Sequence, residues 1–287
     1  MRSMILGDIP ALEYATTEAI NTLATNVTFS GSQYKTIMMT SSTTNEGKSY
    51  IAFNLVRTLA NMGYAVLLVD ADLRKSVFFS RYDVRINGAR TGLTHYLAGR
   101  CPPSSILYQT NIPNVYVIPA GKEVINSLPL LTSPAFLNLL EEMKSSFDFI
   151  IVDAPPVGLV IDAAMIANAC DATILIVNNE QVTKRELIES AKQIEKSGCT
   201  ILGVVLNKVA METHKSRRYY YKSYYSHYGY GAKEYISSDA SKTANAASGG
   251  GMETGRQPKL KPVVTGEAKR DGALKPPVKN PGTPPGA

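Results

Sequence analysis

The chain has 287 residues and 44% apolar content, enough for one sizeable α/β domain plus extensions. Its formal charge of +6 is unevenly placed: residues 1–210 carry 17 Lys/Arg against 18 Asp/Glu, so the basic surplus belongs to an appendage and gives the domain no nucleic-acid-binding character. Three widely spaced cysteines (Cys101, Cys170, Cys199) argue for reduced thiols rather than a disulfide framework, and their spacing is not that of a metal site. The first residues lack a signal-peptide apolar region, no apolar run reaches the ~18 residues of a membrane span, and Arg2 excludes N-myristoylation. A cytoplasmic protein without a membrane anchor of its own is expected.

In chain order, Leu12, Ala15, Ala19, Leu23 and Val27 have helical spacing, which with Pro10 near the start predicts a helix over 10–28, outside the sheet or against a neighbour. A strand over 35–40 follows, then Ser42-Thr43-Thr44-Asn45-Glu46-Gly47-Lys48-Ser49, then a helical pattern over 48–61 (Ile51, Leu55, Leu59), with Gly63 as its stop. The eight residues fit the phosphate-binding loop Gly-x-x-x-x-Gly-Lys-Ser/Thr at every position but the first, where Ser42 replaces Gly. Strand, loop and helix in that order are the context such a loop requires. Its N–H groups and the helix N-terminus face phosphates, Lys48 reaches the β and γ phosphates, and the Ser49 hydroxyl is offered to Mg²⁺.

A strand over 65–70 completes a βαβ unit and runs into Asp70-Ala71-Asp72-Leu73-Arg74. Residues two apart on a strand share a face, so Asp70 and Asp72 emerge together at its C-terminal end, where open α/β sheets bind ligands. Residues 76–114 read as irregular, with a short helical piece over 92–99. A strand over 115–119, a helix over 133–145 and a strand over 148–153 follow, the last closed by Asp153 before Ala154-Pro155-Pro156. A helix over 160–169, a strand over 172–177, a helix over 183–197 and a strand over 201–206 complete the alternation, which predicts an α/β P-loop NTPase fold: a mainly parallel sheet with helices on both faces. Apolar runs ended by carboxylates suit a Mg·nucleotide, because the hard cation takes oxygen ligands.

After Lys208 the pattern stops. Eight of the 16 tyrosines fall in one stretch: Tyr219, Tyr220, Tyr221, Tyr224, Tyr225, Tyr228, Tyr230 and Tyr235. Lys, Ser and Gly are interleaved, no helix or strand period orders them, and no apolar segment remains to pack against. Residues 236–287 are Ser, Gly, Lys, Pro and Ala with few large apolar residues, the composition of a disordered tail.

The P-loop, the apolar-Asp-x-Asp-x-Arg strand, Asp153-Ala154-Pro155-Pro156-Val157 and the tyrosine cluster together resemble the bacterial tyrosine kinases of capsule and exopolysaccharide synthesis (BY-kinases). Gly92-Leu93…Tyr96-Leu97…Gly99 and Gly203-Val204-Val205-Leu206-Asn207-Lys208 add to the likeness, which covers roughly residues 12–235. The resemblance implies four parts: an N-terminal helical segment (1–34) making the oligomer contact, a kinase domain (35–210), a phosphoacceptor tail (211–235) and a disordered end (236–287). It implies ATP and Mg²⁺, with nucleotide contacts from Ser42 to Ser49 and Tyr50, and Asn207 at the base. Ser49, Asp70, Asp72 and Asp153 organise the metal. Lys48, Asp70 and Asp72 are catalytic, and Asp70 is favoured over Asp72 as the group that accepts the tyrosine proton. The chain would phosphorylate the tyrosines of a neighbouring copy and regulate polymer synthesis and export. Its partners would be a transmembrane polysaccharide co-polymerase that activates it and recruits it to the inner face of the membrane, further copies of itself, and a cognate tyrosine phosphatase.

The chain also departs from the family pattern. Glu18 is kept, but Asn21 and Ala24 replace the arginines of a family helix motif, so a subunit ring cannot use the same bidentate ion pairs. Asn126-Ser127-Leu128-Pro129-Leu130-Leu131 is an altered family segment, and Tyr50 stands where a small residue is common. One rival reading is a partition- or division-site ATPase switch, but such proteins place a second lysine where this chain has Thr43, and they have no need of a tyrosine tail. A second rival makes the basic, aromatic tail a nucleic-acid module, which leaves the acidic site unexplained. His95, His214 and His227 read as surface or tail residues.

Overall fold

The computed structural model describes residues 2–7 and 9–209; the expected tyrosine tail and disordered end lie outside the described residues. The elements are β1 (Arg2–Leu6), α1 (Tyr14–Phe29), β2 (Thr36–Ser41), α2 (Lys48–Asn61), β3 (Val66–Asp70), α3 (Phe78–Arg81), β4 (Val84–Ile86), α4 (Leu93–Leu97), β5 (Tyr108–Gln109), β6 (Val115–Ile118), α5 (Leu128–Leu131), α6 (Pro134–Met143), β7 (Phe149–Asp153), α7 (Asp162–Asn168), β8 (Ala172–Asn178), α8 (Lys184–Lys196) and β9 (Thr200–Asn207). One sheet holds all nine strands in the order β4-β1-β5-β6-β3-β7-β2-β8-β9. From β6 to β9 every neighbour is parallel.

The central strands are apolar on both faces, and their residues divide with period two. Ile37 and Met39 of β2, with Val66 and Leu68 of β3, join a core with α1, α2 and α3. Met38, Leu67 and Val69 join the opposite core, with α4 through α8. Helices therefore cover both faces, as the continuous apolar runs predicted. At α8 the local signal is complete: Thr183 and Glu186 close a reciprocal capping box.

The N-terminal region differs from expectation. Residues 2–6 form a strand rather than a lead-in to a helix, and α1 starts at Tyr14, leaving Pro10 outside it. The stretch expected to be irregular supplies β4, antiparallel to β1, and β5, parallel to β1 and antiparallel to β6. These strands have two to five residues, too few to show a period against a polar background. Arg2 pins this edge: its guanidinium donates to the Ser105 carbonyl at 2.9 Å and lies 4.8 Å from the centre of the Tyr108 ring. Within α1, Asn21 is exposed and bonds Glu18, whereas Ala24 is fully buried in the core shared with α2. The second arginine position of the family motif therefore points inward in this chain.

Met4 is 1% exposed. Truncating it to alanine should lower unfolding stability by about 2–5 kcal/mol, as deletion of a buried thioether chain does. Urea denaturation checks this; an unchanged midpoint would show that β1 does not belong to the cooperative core.

Candidate nucleotide and phosphoryl-transfer site

β2 ends at Ser41 in the middle of the sheet, and residues 42–47 cross its C-terminal edge before α2 begins at Lys48. Asn45 (φ 62°) and Gly47 (φ 97°) take left-handed backbone there. Gly47 is required twice over, because a Cβ at that position would lie 2.2 Å from the Asn207 side-chain nitrogen. The segment after β7 backs the loop: the Val157 N–H donates to the Ser41 carbonyl at 2.8 Å, and a Cβ on Gly158 would meet the Ser42 carbonyl at 2.3 Å. Thr44 and Asn45 form the exposed tip. The Ser42 hydroxyl is buried and has no hydrogen-bond partner among the described residues.

The three carboxylates meet at this loop. Asp70 and Asp153 end the adjacent parallel strands β3 and β7 as register partners. Lys48 Nζ lies 3.1 Å from Asp72 Oδ2, 3.4 Å from Asp153 Oδ1 and 3.4 Å from Ser49 Oγ. Asp72 Oδ1 accepts from the Lys75 N–H, and Asp70 from the Ser76 hydroxyl and the Asp72 N–H. One ammonium thus faces three buried carboxylates. Burial opposes the Lys48 charge, but Asp153, Asp72 and Asp70 outweigh it and hold the lysine pKa above its ordinary value. Burial, then the charge of Asp153, push Asp70 from 3.8 to about 7, while Ser76 and Lys48 pull the other way. Asp153 is raised by burial as well, against the attraction of Lys48.

This donor set fits Mg·nucleotide. Ser49 and the aspartates offer only hard oxygens, and the excess negative charge supplies an electrostatic reason for a cation. Among the described residues no three acidic, histidine or cysteine side chains converge into a ready-made cage. Mg²⁺ usually completes its shell with phosphate oxygens and water in any case.

Two further expected residues make contacts within the protein. The Asn207 side chain, expected at the base, donates to the Glu46 carbonyl at 2.8 Å beneath the loop. Tyr50 packs against the α1–α2 core, and its carbonyl accepts from Asn54. The sequence reading missed four contacts. Lys208 Nζ donates to the Asn45 carbonyl at 2.6 Å. The Asn178 N–H donates to Glu46 Oε2 at 2.7 Å. Arg74 grips Asp162 through two bonds, at 2.8 and 3.1 Å, and Ser127 donates to the same carboxylate. Arg74, as the last residue of the acidic motif, and Lys208 and Ser127, inside family-like segments, carried a signal, but none of their contacts did. Their partners come from distant segments.

Fold and site define a P-loop nucleotide-binding protein, and residues 34–202 match the AAA domain family. The chain is 43% identical over 196 residues to the tyrosine-protein kinase CpsD of Streptococcus agalactiae, covering 68% of this chain and 83% of the relative. Two solved structures are also similar. The kinase domain of the Escherichia coli tyrosine kinase ETK has TM-score 0.64 and 27% identity, covering 69% of this chain and 77% of that one. The chimerical protein CapA2B2 has TM-score 0.63 and 31% identity, covering 71% and 94%. The chain belongs to the bacterial tyrosine-protein kinase family.

The raised pKa of Asp70 has a consequence for the free protein. The folded state holds this proton more tightly than the unfolded chain does, so the associated stability is full below about pH 4 and is lost as pH rises through about 7. Asp70→Asn should therefore stabilise the nucleotide-free protein at pH 8 by about 1–3 kcal/mol, with the gain vanishing near pH 4. Thermal unfolding at both pH values checks this, and a variant less stable than wild type at pH 8 would contradict it.

Proposed function

We propose that this chain transfers the γ-phosphoryl group of ATP to tyrosine hydroxyls, first to those of residues 219–235 in a neighbouring copy, and so regulates capsule or exopolysaccharide polymerisation and export. The observation that carries this reading is the convergence of Lys48, Asp72 and Asp153 at the phosphate loop. Such transfer asks mainly for positioning and charge neutralisation. Lys48 and the N–H groups at the start of α2 hold the β and γ phosphates. Ser49, Asp70, Asp72 and Asp153 would hold Mg²⁺, whose chemistry when bound would be to offset phosphate charge. Asp70 accepts the tyrosine proton as the phenolic oxygen bonds to the γ phosphorus and the bond to the β–γ bridging oxygen breaks, releasing ADP. A base with a pKa near 7 suits that task.

In this reading the +3 segment 211–235 becomes strongly negative, because each phosphate adds about −1.5 to −2 charges. That reversal controls assembly between copies, with α1 as a contact and a tyrosine phosphatase resetting it. A transmembrane polysaccharide co-polymerase supplies the activating segment and recruits the kinase to the inner face of the membrane. The likeness to a chimerical protein, CapA2B2, supports a two-protein arrangement. No helix among the described residues is long and apolar enough to cross a membrane.

The test is incubation of the full chain with Mg·ATP, with and without the activator's cytoplasmic segment, followed by mass spectrometry of residues 217–235. Phosphate on these tyrosines is expected, reduced at least about 100-fold in Lys48→Met. ATP turnover with an unmodified tail under both conditions would replace the kinase reading with an ATPase switch.

A further inference from the structure

Glu46 presents a physical puzzle. It lies inside a loop shaped to receive phosphate anions, yet it is itself an acidic residue and is completely buried. A carboxylate there works against the ligand unless its geometry matters more than its charge. Its contacts account for it. One oxygen accepts from the Thr43 N–H and, at 3.1 Å, from the Thr43 hydroxyl. The other accepts from the Asn178 N–H at 2.7 Å, at the end of β8. As Thr183 does with Glu186 at α8, Thr43 donates its N–H and hydroxyl to the glutamate three residues on, but without the return bond from the glutamate N–H, so the pair closes a turn instead of opening a helix.

We propose that Glu46 is a positioning residue for phosphate binding. It ties the loop to β8 from inside, while Asn207 and Lys208 tie the carbonyls of Glu46 and Asn45 to the end of β9 from outside. With both anchors in place, Asn45 and Gly47 keep the left-handed turns that aim the following N–H groups at the phosphates. The Thr43 N–H, turned onto Glu46, is withdrawn from the phosphate-facing set. The ligand class is the β and γ phosphates of a nucleotide, so the proposal rests on the nucleotide-site reading above.

Glu46→Gln tests it in the full chain. The glutamine keeps the size and the oxygen that faces Thr43, but sets an amide donor against the Asn178 N–H. The Kd for Mg·ADP and the KM for ATP should each rise about tenfold, with kcat changed less than about threefold. Glu46→Asp, which restores the charge on a shorter arm, should recover part of the affinity. Met4→Ala serves as the control, because it lowers Tm at a distance from the site and should leave Kd unchanged. If Glu46→Gln lowers Tm as Met4→Ala does and leaves Kd and KM at wild-type values, Glu46 is structural only and the proposal falls. If wild type itself fails to bind Mg·ADP, the nucleotide reading falls with it, so the two failures are distinguishable.

Discussion

Three carboxylates and one ammonium share the C-terminal edge of this sheet, and much else in the domain serves to keep them there. Two of the carboxylates end neighbouring strands, so their separation is set by backbone hydrogen bonding between β3 and β7 and not by side-chain choice. Burial, and then the charge of Asp153 held in that way, raise the pKa of Asp70. In the proposed reading, a bound cation and the nucleotide phosphates complete this site. Its local instability is the electrostatic counterpart of its readiness to bind.

The walls around this charge cluster are joined at one point. Arg74, just beyond the acidic strand, forks onto the Asp162 carboxylate at the start of α7 and also donates to the Ile125 carbonyl. Ser127 donates to the same carboxylate. A single buried acid thus joins the β3 loop, the segment leading into α5, and the helix that follows the loop-backing residues 154–158. Its pKa is held low by these partners against the opposing effect of burial. Breaking one arm would leave a buried charge poorly compensated, which is far more damaging than losing an exposed ion pair.

Much of this was legible in the sequence, for physical reasons. A strand buried on both faces carries a continuous apolar run, so β2, β3, β7 and β8 stood out by theirs, and the phosphate loop and aspartates marked their C-terminal ends. The short edge strands β1, β4 and β5 were not legible, because their pairing depends on partners far along the chain and on Arg2 reaching Ser105. Inside the site, the contacts that individual residues make were not legible. Asn207 was recognised, but its bond to the Glu46 carbonyl depends on the path of β9. Ala24 was read as an altered assembly position, and only the packing of α1 on α2 reveals that it is core. Glu46 matched an unspecified position in a motif, which gave no hint of its bond to β8.

The place of β2 in the sheet also bears on how the domain is made. β2 is synthesised well before β7 and β8, yet it pairs only with them. Its nearest partner begins at Phe149. At ribosomal rates of about 5–20 residues per second, roughly 110 further residues take several seconds or more to emerge. During that interval the strand that will carry the phosphate loop has no neighbour on either side. The phosphate loop therefore takes its place late in synthesis, and the nascent kinase carries unpaired a strand that is buried along its whole length in the finished domain.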